Sequence, residues 1–124
     1  MKKLYEAGLP ASFYPSYSTM LNAPDGWVWK SRHILDDVLY IHGDNGKSGQ
    51  YAAANYMKQR KGSVVIGHIH SYASVFYEGE HFGMNTGCLI DKEAYAFKYA
   101  KNMLLNVNLG CGLVFGGKAH EETL

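Results

Sequence analysis

Val64-Val65-Ile66-Gly67-His68-Ile69-His70 decides how the rest of the chain reads. Three aliphatic residues make a buried strand, a glycine breaks it, and two histidines follow at i and i+2. In extended backbone, side chains two apart point to the same side. His68 and His70 can therefore reach one metal, or two adjacent metals, from a strand end. Taken alone, the pair reads equally well as two histidines in a polar loop. A second stretch upstream shifts the balance. Val38-Leu39-Tyr40-Ile41-His42-Gly43-Asp44 is another apolar strand ending in His-Gly. Two buried strands that both stop at a histidine beside a glycine point to one site at the ends of adjacent strands, where α/β proteins place ligands.

Between the two stretches lies the best helix in the chain, Gln50 to Arg60. It is rich in alanine, and Ala53, Tyr56, Met57 and Arg60 recur at i, i+3, i+4 and i+7. The basic run Lys58 to Lys61 suits a helix C-terminus, and Gly62 is expected to close it. Strand, loop, helix and strand over Val38 to Ile66 predict a βαβ unit with parallel strands. Parallel strands end at the same edge, so both histidine motifs are expected there. Gly46-Lys47-Ser48 precedes the helix, but a phosphate-binding P-loop needs glycine at position 41, which is Ile41. The loop reads as an ordinary strand-to-helix connection whose free N–H groups can assist a nearby anion.

The remaining segments complete an α/β reading with a mixed sheet. Lys2 to Ala7 reads as the end of a helix closed by Gly8, and Tyr17 to Leu21 as a short helix. Asn22 to Gly26 is a turn cluster. Trp27 to His33 reads as a strand that turns through Ile34-Leu35-Asp36-Asp37 into Val38, forming a hairpin. Tyr72–Tyr77 and Phe82–Thr86 are strands around a Glu78-Gly79-Glu80 turn. Cys88-Leu89-Ile90 is expected to continue the second strand, and Asp91-Lys92-Glu93 to turn into Ala94–Tyr99. Asn106–Leu109 and Gly112–Phe115 close the chain as strands, and the polar tail from Gly117 to Leu124 is expected to fray. No internal repeat, low-complexity segment or linker interrupts residues 1–124.

At 124 residues the chain is one domain, or part of one. Hydrophobic residues make up 47%, ample for a core, and the formal charge of +1 gives no general attraction to nucleic acid or membrane. Ten tyrosines, five phenylalanines and two tryptophans imply many half-buried rings. Cys88 and Cys111 are not spaced as CxxC and read as reduced thiols of a cytosolic protein. Residues 1–24 hold no continuous apolar core of a signal peptide, and no apolar run approaches the ~20 residues that span a bilayer. A cytoplasmic location is expected.

The chemistry narrows by elimination. No Gly-x-Ser-x-Gly elbow is present, and both cysteines sit in apolar contexts that favour inert thiols. His33 and His81 have no partner pattern, and His120 lies in the tail. That leaves His42, His68 and His70, with Asp44 and Asn85 as polar neighbours. Three imidazoles suit Zn, Mn, Fe or Ni better than Ca or Mg alone. They also allow a mononuclear zinc site with an open position. No carboxylate is evidently placed to bridge two metals.

At this point the residues resemble a known family. Gly67-His68-Ile69-His70 looks like the Gly-His-x-His motif of calcineurin-like metallophosphoesterases, and His42-Gly43 looks like the single-histidine motif that precedes it. Asn85-Thr86-Gly87-Cys88 resembles the family's Asn-x-Gly-[Ser/Cys] segment. The likeness runs from about Tyr5 to Phe115. Gly8-Leu9-Pro10 and Pro24-Asp25-Gly26-Trp27 give it the flavour of small phage and prophage phosphoesterases. The family's Asp-x-His, Gly-Asp-x-x-Asp and Gly-Asn-His motifs do not occur here; Gly43-Asp44 starts like the second, but position 47 is lysine. The chain therefore resembles a C-terminal half. The resemblance implies roughly one of the two sheets of a four-layer α/β/β/α sandwich, and two divalent metals (Mn, Fe, Zn or Ni) in the complete site. His42 and His68 would bind the second metal and His70 the first, with Asp44 and Asn85 as outer neighbours. No catalytic acid is assigned.

Two functional expectations follow. The first is a metal-dependent phosphoesterase, cleaving a phosphomonoester or phosphodiester, for which this chain supplies the histidine ligands and needs a complementary half for activity. Nucleic acid then enters only as one possible substrate. The second is a non-catalytic metal-binding or interaction module that pairs with another chain or with copies of itself, since a half-sandwich exposes an apolar sheet face.

Overall fold

The Val38–Ile66 stretch does form a strand, a helix and a second strand parallel to the first. In the computed structural model, which describes Gly8 and residues 15–45, 48–91 and 107–124, these are β2 (Val38–Ile41), α2 (Ala52–Arg60) and β3 (Val64–Ile66). β2 and β3 pair in parallel with Leu39 opposite Val64 and Ile41 opposite Ile66. The chain divides into two compact units, Met1–Lys30 and Ser31–Leu124. The sequence expectations for Lys2–Ala7, Gly46-Lys47, Ala94–Tyr99 and Asn106 lie outside the described residues.

The first unit contains the short helix α1 (Tyr17–Met20), started by Ser16, whose hydroxyl accepts from the Thr19 N–H at 3.1 Å. The strand expected over Trp27–His33 does not form over its tryptophans. Trp27 and Trp29 instead lie with ring centroids 5.9 Å apart, and Trp29 donates its indole N–H to Ser18 at 2.7 Å. Their alternation came from aromatic packing onto α1, not from sheet pleating.

In the second unit, β1 (Arg32–Leu35) and β2 form the expected hairpin, with the turn confined to Asp36-Asp37. Both turn residues have positive φ, 48° and 62°, the backbone of a two-residue type I′ turn. β4 (Ala73–Glu78) and β5 (His81–Thr86) form a second hairpin, and β5 adds in parallel to β3. The result is a five-stranded mixed sheet in the order β1-β2-β3-β5-β4. Cys88 makes one isolated parallel bridge to Leu109, so the extension expected over Cys88–Ile90 does not form.

The tail expected to fray is a strand. β6 (Gly110–Phe115) and β7 (Lys118–Thr123) pair antiparallel across Gly116-Gly117, both at positive φ. Two glycines between two runs of residues are a hairpin signal. It was masked by the polarity of β7, where Ala119 is the one buried residue.

Side chains alternate to the two faces of the sheet. Val38, Val65, Phe82 and Met84 pack with Ala119, Val114 and Val75 on the face that the β6–β7 hairpin covers. Tyr77 fixes that hairpin: its hydroxyl donates to the Ala119 carbonyl at 3.0 Å and accepts the Ala119 N–H at 2.9 Å. Ala52, Ala53, Val64, Ile66 and Ile69 form the core on the other face, under α2. Burial, and secondarily the Asp36 carboxylate, raises the Tyr40 phenol above its ordinary 10.0.

α2 sits unusually close to β5. A Cβ on Gly83 would meet the Ala53 carbonyl oxygen at 2.5 Å, and Ala52, Ala53 and Ala54 are all buried. The helix ends at Lys61, not at Gly62 as expected. Lys61 takes the left-handed conformation (φ 56°, ψ 48°) and the Gly62 N–H returns to the Met57 carbonyl at 3.3 Å. Gly62 is buried against the Arg60 guanidinium instead. Arg60 donates to the carbonyls of Ser63 and Asp37, tying the helix end to the β1–β2 turn.

Tyr56 on α2 carries a buried hydroxyl with no hydrogen-bond partner among the described residues. An unpaired buried polar group costs stability, whereas its apolar isostere does not. Tyr56→Phe is expected to leave stability unchanged or raise it by up to about 1 kcal/mol, read as the urea midpoint. A clear loss would mean that the hydroxyl has a partner in solution. No described helix is long and apolar enough to cross a membrane.

Candidate metal centre

The parallel pairing of β2 and β3 brings two histidines together. Ile41 and Ile66 are register partners, and the Gly67 N–H donates to the His42 carbonyl at 3.2 Å, extending the ladder one rung beyond both strands. The next side chains then face each other. His42 Nε2 and His68 Nδ1 are 3.0 Å apart, with ring centroids at 4.9 Å and planes at 80°. Both rings are exposed, so they face solvent beyond the sheet edge.

Two imidazole nitrogens on one metal, with bonds of about 2.0–2.1 Å, lie roughly 2.9–3.4 Å apart for octahedral to tetrahedral angles. The 3.0 Å separation lies within that range. With no metal between them, one nitrogen donates a hydrogen bond and the other accepts, so each ring fixes the tautomer of its neighbour.

Gly43 makes the first half of this arrangement possible. It has φ +91°, and a Cβ there would meet the Ile66 Cβ at 2.9 Å. Only glycine lets the chain leave β2 in that direction while lying over the Ile66 side chain. This is the physical reason for glycine after His42.

The second half is set by Ile69. It is buried in the α2-side core, while His68 and His70 on either side are exposed. The alternation expected for His68 and His70 therefore holds, although the segment is a loop and not a strand. The His70 carbonyl accepts from the Asn108 N–H at 2.8 Å, which anchors the loop to the segment leading into β6. His68 and His70 border one open concavity of about 240 Å³, together with Gly49, Ile69, Ser71 and Tyr72.

The other sequence-derived neighbours are placed as follows. Asp44 is exposed in the loop after Gly43. Asn85 is fully buried and lies at the start of α2. Its Oδ1 accepts from the Ala53 N–H at 3.3 Å, and its Nδ2 donates to the Gln50 carbonyl and to Ser74 Oγ, each at 2.7 Å. Tyr51, at the helix N-cap, makes no side-chain cap. Asn85 thus caps α2 from a strand, with its amide fully engaged. His81 and His120 are exposed on β5 and β7 and His33 is half-buried on β1. Cys88 and Cys111 are free and half-buried.

Among the described residues, no three His, Cys, Asp or Glu side chains gather closely enough to hold a metal ion. The structure joins His42 to His68, and His70 borders the same concavity without completing a group of three. The contributions of Ser74 and of Gly49 and Tyr72 carried no sequence signal. Gly83 did carry one, since an isolated glycine inside a strand marks a close backbone approach.

No family model, curated protein or solved structure matches the chain.

Proposed function

We propose that this chain is the histidine-bearing part of a metal-dependent phosphoesterase, with His42 and His68 holding one divalent ion at the shared edge of β2 and β3. The single observation that supports this most is the 3.0 Å convergence of His42 Nε2 and His68 Nδ1 beyond two parallel strands. His70 borders the adjoining concavity and is the ligand available to a neighbouring ion. A bound divalent metal would activate a water for attack at phosphorus and neutralise charge on the phosphoryl oxygens. The chain's own contribution is positional. Gly43 sets the exit of His42, buried Ile69 holds His68 outward, and the Asn108 contact fixes the loop beneath His70.

The layering is compatible with half of an α/β/β/α sandwich. α2 lies on one face of the five-stranded sheet and the β6–β7 hairpin on the other, the side from which a second sheet would build. The carboxylate ligands and any general acid would come from a complementary segment or a second chain. With that half present, Mn²⁺-dependent hydrolysis of bis(4-nitrophenyl) phosphate is expected, and His68→Ala should lower the rate by 100-fold or more, about the loss that misplacing a metal ligand produces. A rate unaffected by His68→Ala would overturn the proposal.

One observation favours a second reading. Two nitrogen donors without a third among the described residues are enough to recruit a metal but not to build a hydrolytic site, which suits a metal-binding module without turnover. Metal uptake that requires His42 and His68, without hydrolysis in the presence of the complementary half, would select it.

A further inference from the structure

α2 packs over β3 and β5, and on the β1–β2 side of the helix the same sheet face opens into a cavity of about 430 Å³. That volume falls within the range of small-ligand sites. Its floor is Leu39 and Ile41, which point to the helix side yet remain only half-buried. Tyr56 borders it from α2. Arg32, Asn45 and Gln59 supply the polar groups around it.

The charges are unequal in their availability. Arg60 also lines the cavity, but it is committed to the Ser63 and Asp37 carbonyls, with the Asp37 carboxylate 3.6 Å away. Arg32 has no ion pair among the described residues. Among the described residues that line the cavity it is the cation left to meet a ligand, and a guanidinium pairs best with a carboxylate or phosphate through two parallel hydrogen bonds. The Asn45 and Gln59 amides can donate or accept.

We propose that this cavity binds a small organic anion with a flat apolar body. The body lies on Leu39 and Ile41 beside the Tyr56 ring, and the anionic group meets Arg32. This site uses none of the histidines and is independent of the metal-centre reading.

The test is amide chemical-shift mapping on the whole chain in EDTA, which removes any contribution from a metal. Phenyl phosphate and benzoate are the anionic probes; benzyl alcohol and inorganic phosphate are the half-probes. Saturable shifts at Arg32, Ile41, Asn45, Tyr56 and Gln59 are expected with one or both anionic probes, and which of them binds tighter tells phosphate from carboxylate. Each half-probe should bind about tenfold or more weakly, and Arg32→Gln should weaken the anionic probes by about tenfold, the size of a lost charge-assisted hydrogen bond. Arg32 is exposed, so this substitution leaves the core intact. No saturable shift with either anionic probe, shifts confined to the His42–His70 edge, or binding equal in Arg32→Gln would each overturn the proposal.

Discussion

Gly83→Ala is expected to lower stability by about 3 kcal/mol or more, a melting-point drop on the order of 10–20 °C. The new methyl would sit 2.5 Å from the Ala53 carbonyl oxygen, 2.6 Å from its carbon and 2.9 Å from the Ala54 nitrogen. All three are helix backbone, so no side chain can rotate away. The helix must lift from β5, which also pulls Ala53 off its Asn85 cap and loosens the apolar contacts of Ala52 and Ala53 with Val64 and Ile66. Gly79→Ala is the comparison that isolates this effect. Gly79 has φ +60° but open space around it, so its cost should stay near the ~1 kcal/mol of a left-handed alanine. Similar losses for the two variants in a urea titration would show that the close helix–sheet approach is not what Gly83 serves.

Asn85→Ala is expected to cost about 2–4 kcal/mol. The truncation leaves the Ala53 N–H, the Gln50 carbonyl and the Ser74 hydroxyl without their partner at a position that is fully buried. Each unpaired buried group costs roughly 1–3 kcal/mol, partly relieved by entering water. The loss of a helix cap alone is about 1 kcal/mol, so the excess over that value measures the rest of the network. Asn85→Asp keeps the acceptor for Ala53 but replaces two donors with a charge, and should be no better than alanine. A loss below 1 kcal/mol in Asn85→Ala would mean that the three groups find other partners and that the clamp is not structural.

Much of the architecture was readable because period and punctuation agreed. The βαβ unit followed from two aliphatic runs around an alanine-rich helix, and the placing of both histidine motifs at one sheet edge then followed from parallel strands ending together. A shared side for His68 and His70 was also expected from their spacing, and the burial of Ile69 between them is the structural reason that both are exposed. Three features were not legible in the same way. The tryptophan alternation imitated a strand, because aromatic packing at i and i+2 produces the same period as a pleat. The last strand was hidden because β7 buries only Ala119, so its hydrophobic pattern is nearly absent, and only Gly116-Gly117 marked the hairpin. Asn85 drew attention as a polar residue near the site, but which groups a buried amide meets depends on helix placement across 32 residues of chain, which no local pattern encodes.

The central claim is that His42 and His68 together form a metal site, and cobalt titration tests it most directly. Co²⁺ added to the metal-free chain is expected to give visible ligand-field absorption that saturates at a fixed stoichiometry, and both His42→Ala and His68→Ala should weaken it by at least about 100-fold. Circular dichroism confirms that these exposed substitutions leave the fold intact. No cobalt spectrum from the parent chain, or a spectrum that survives in the double variant, would contradict the account.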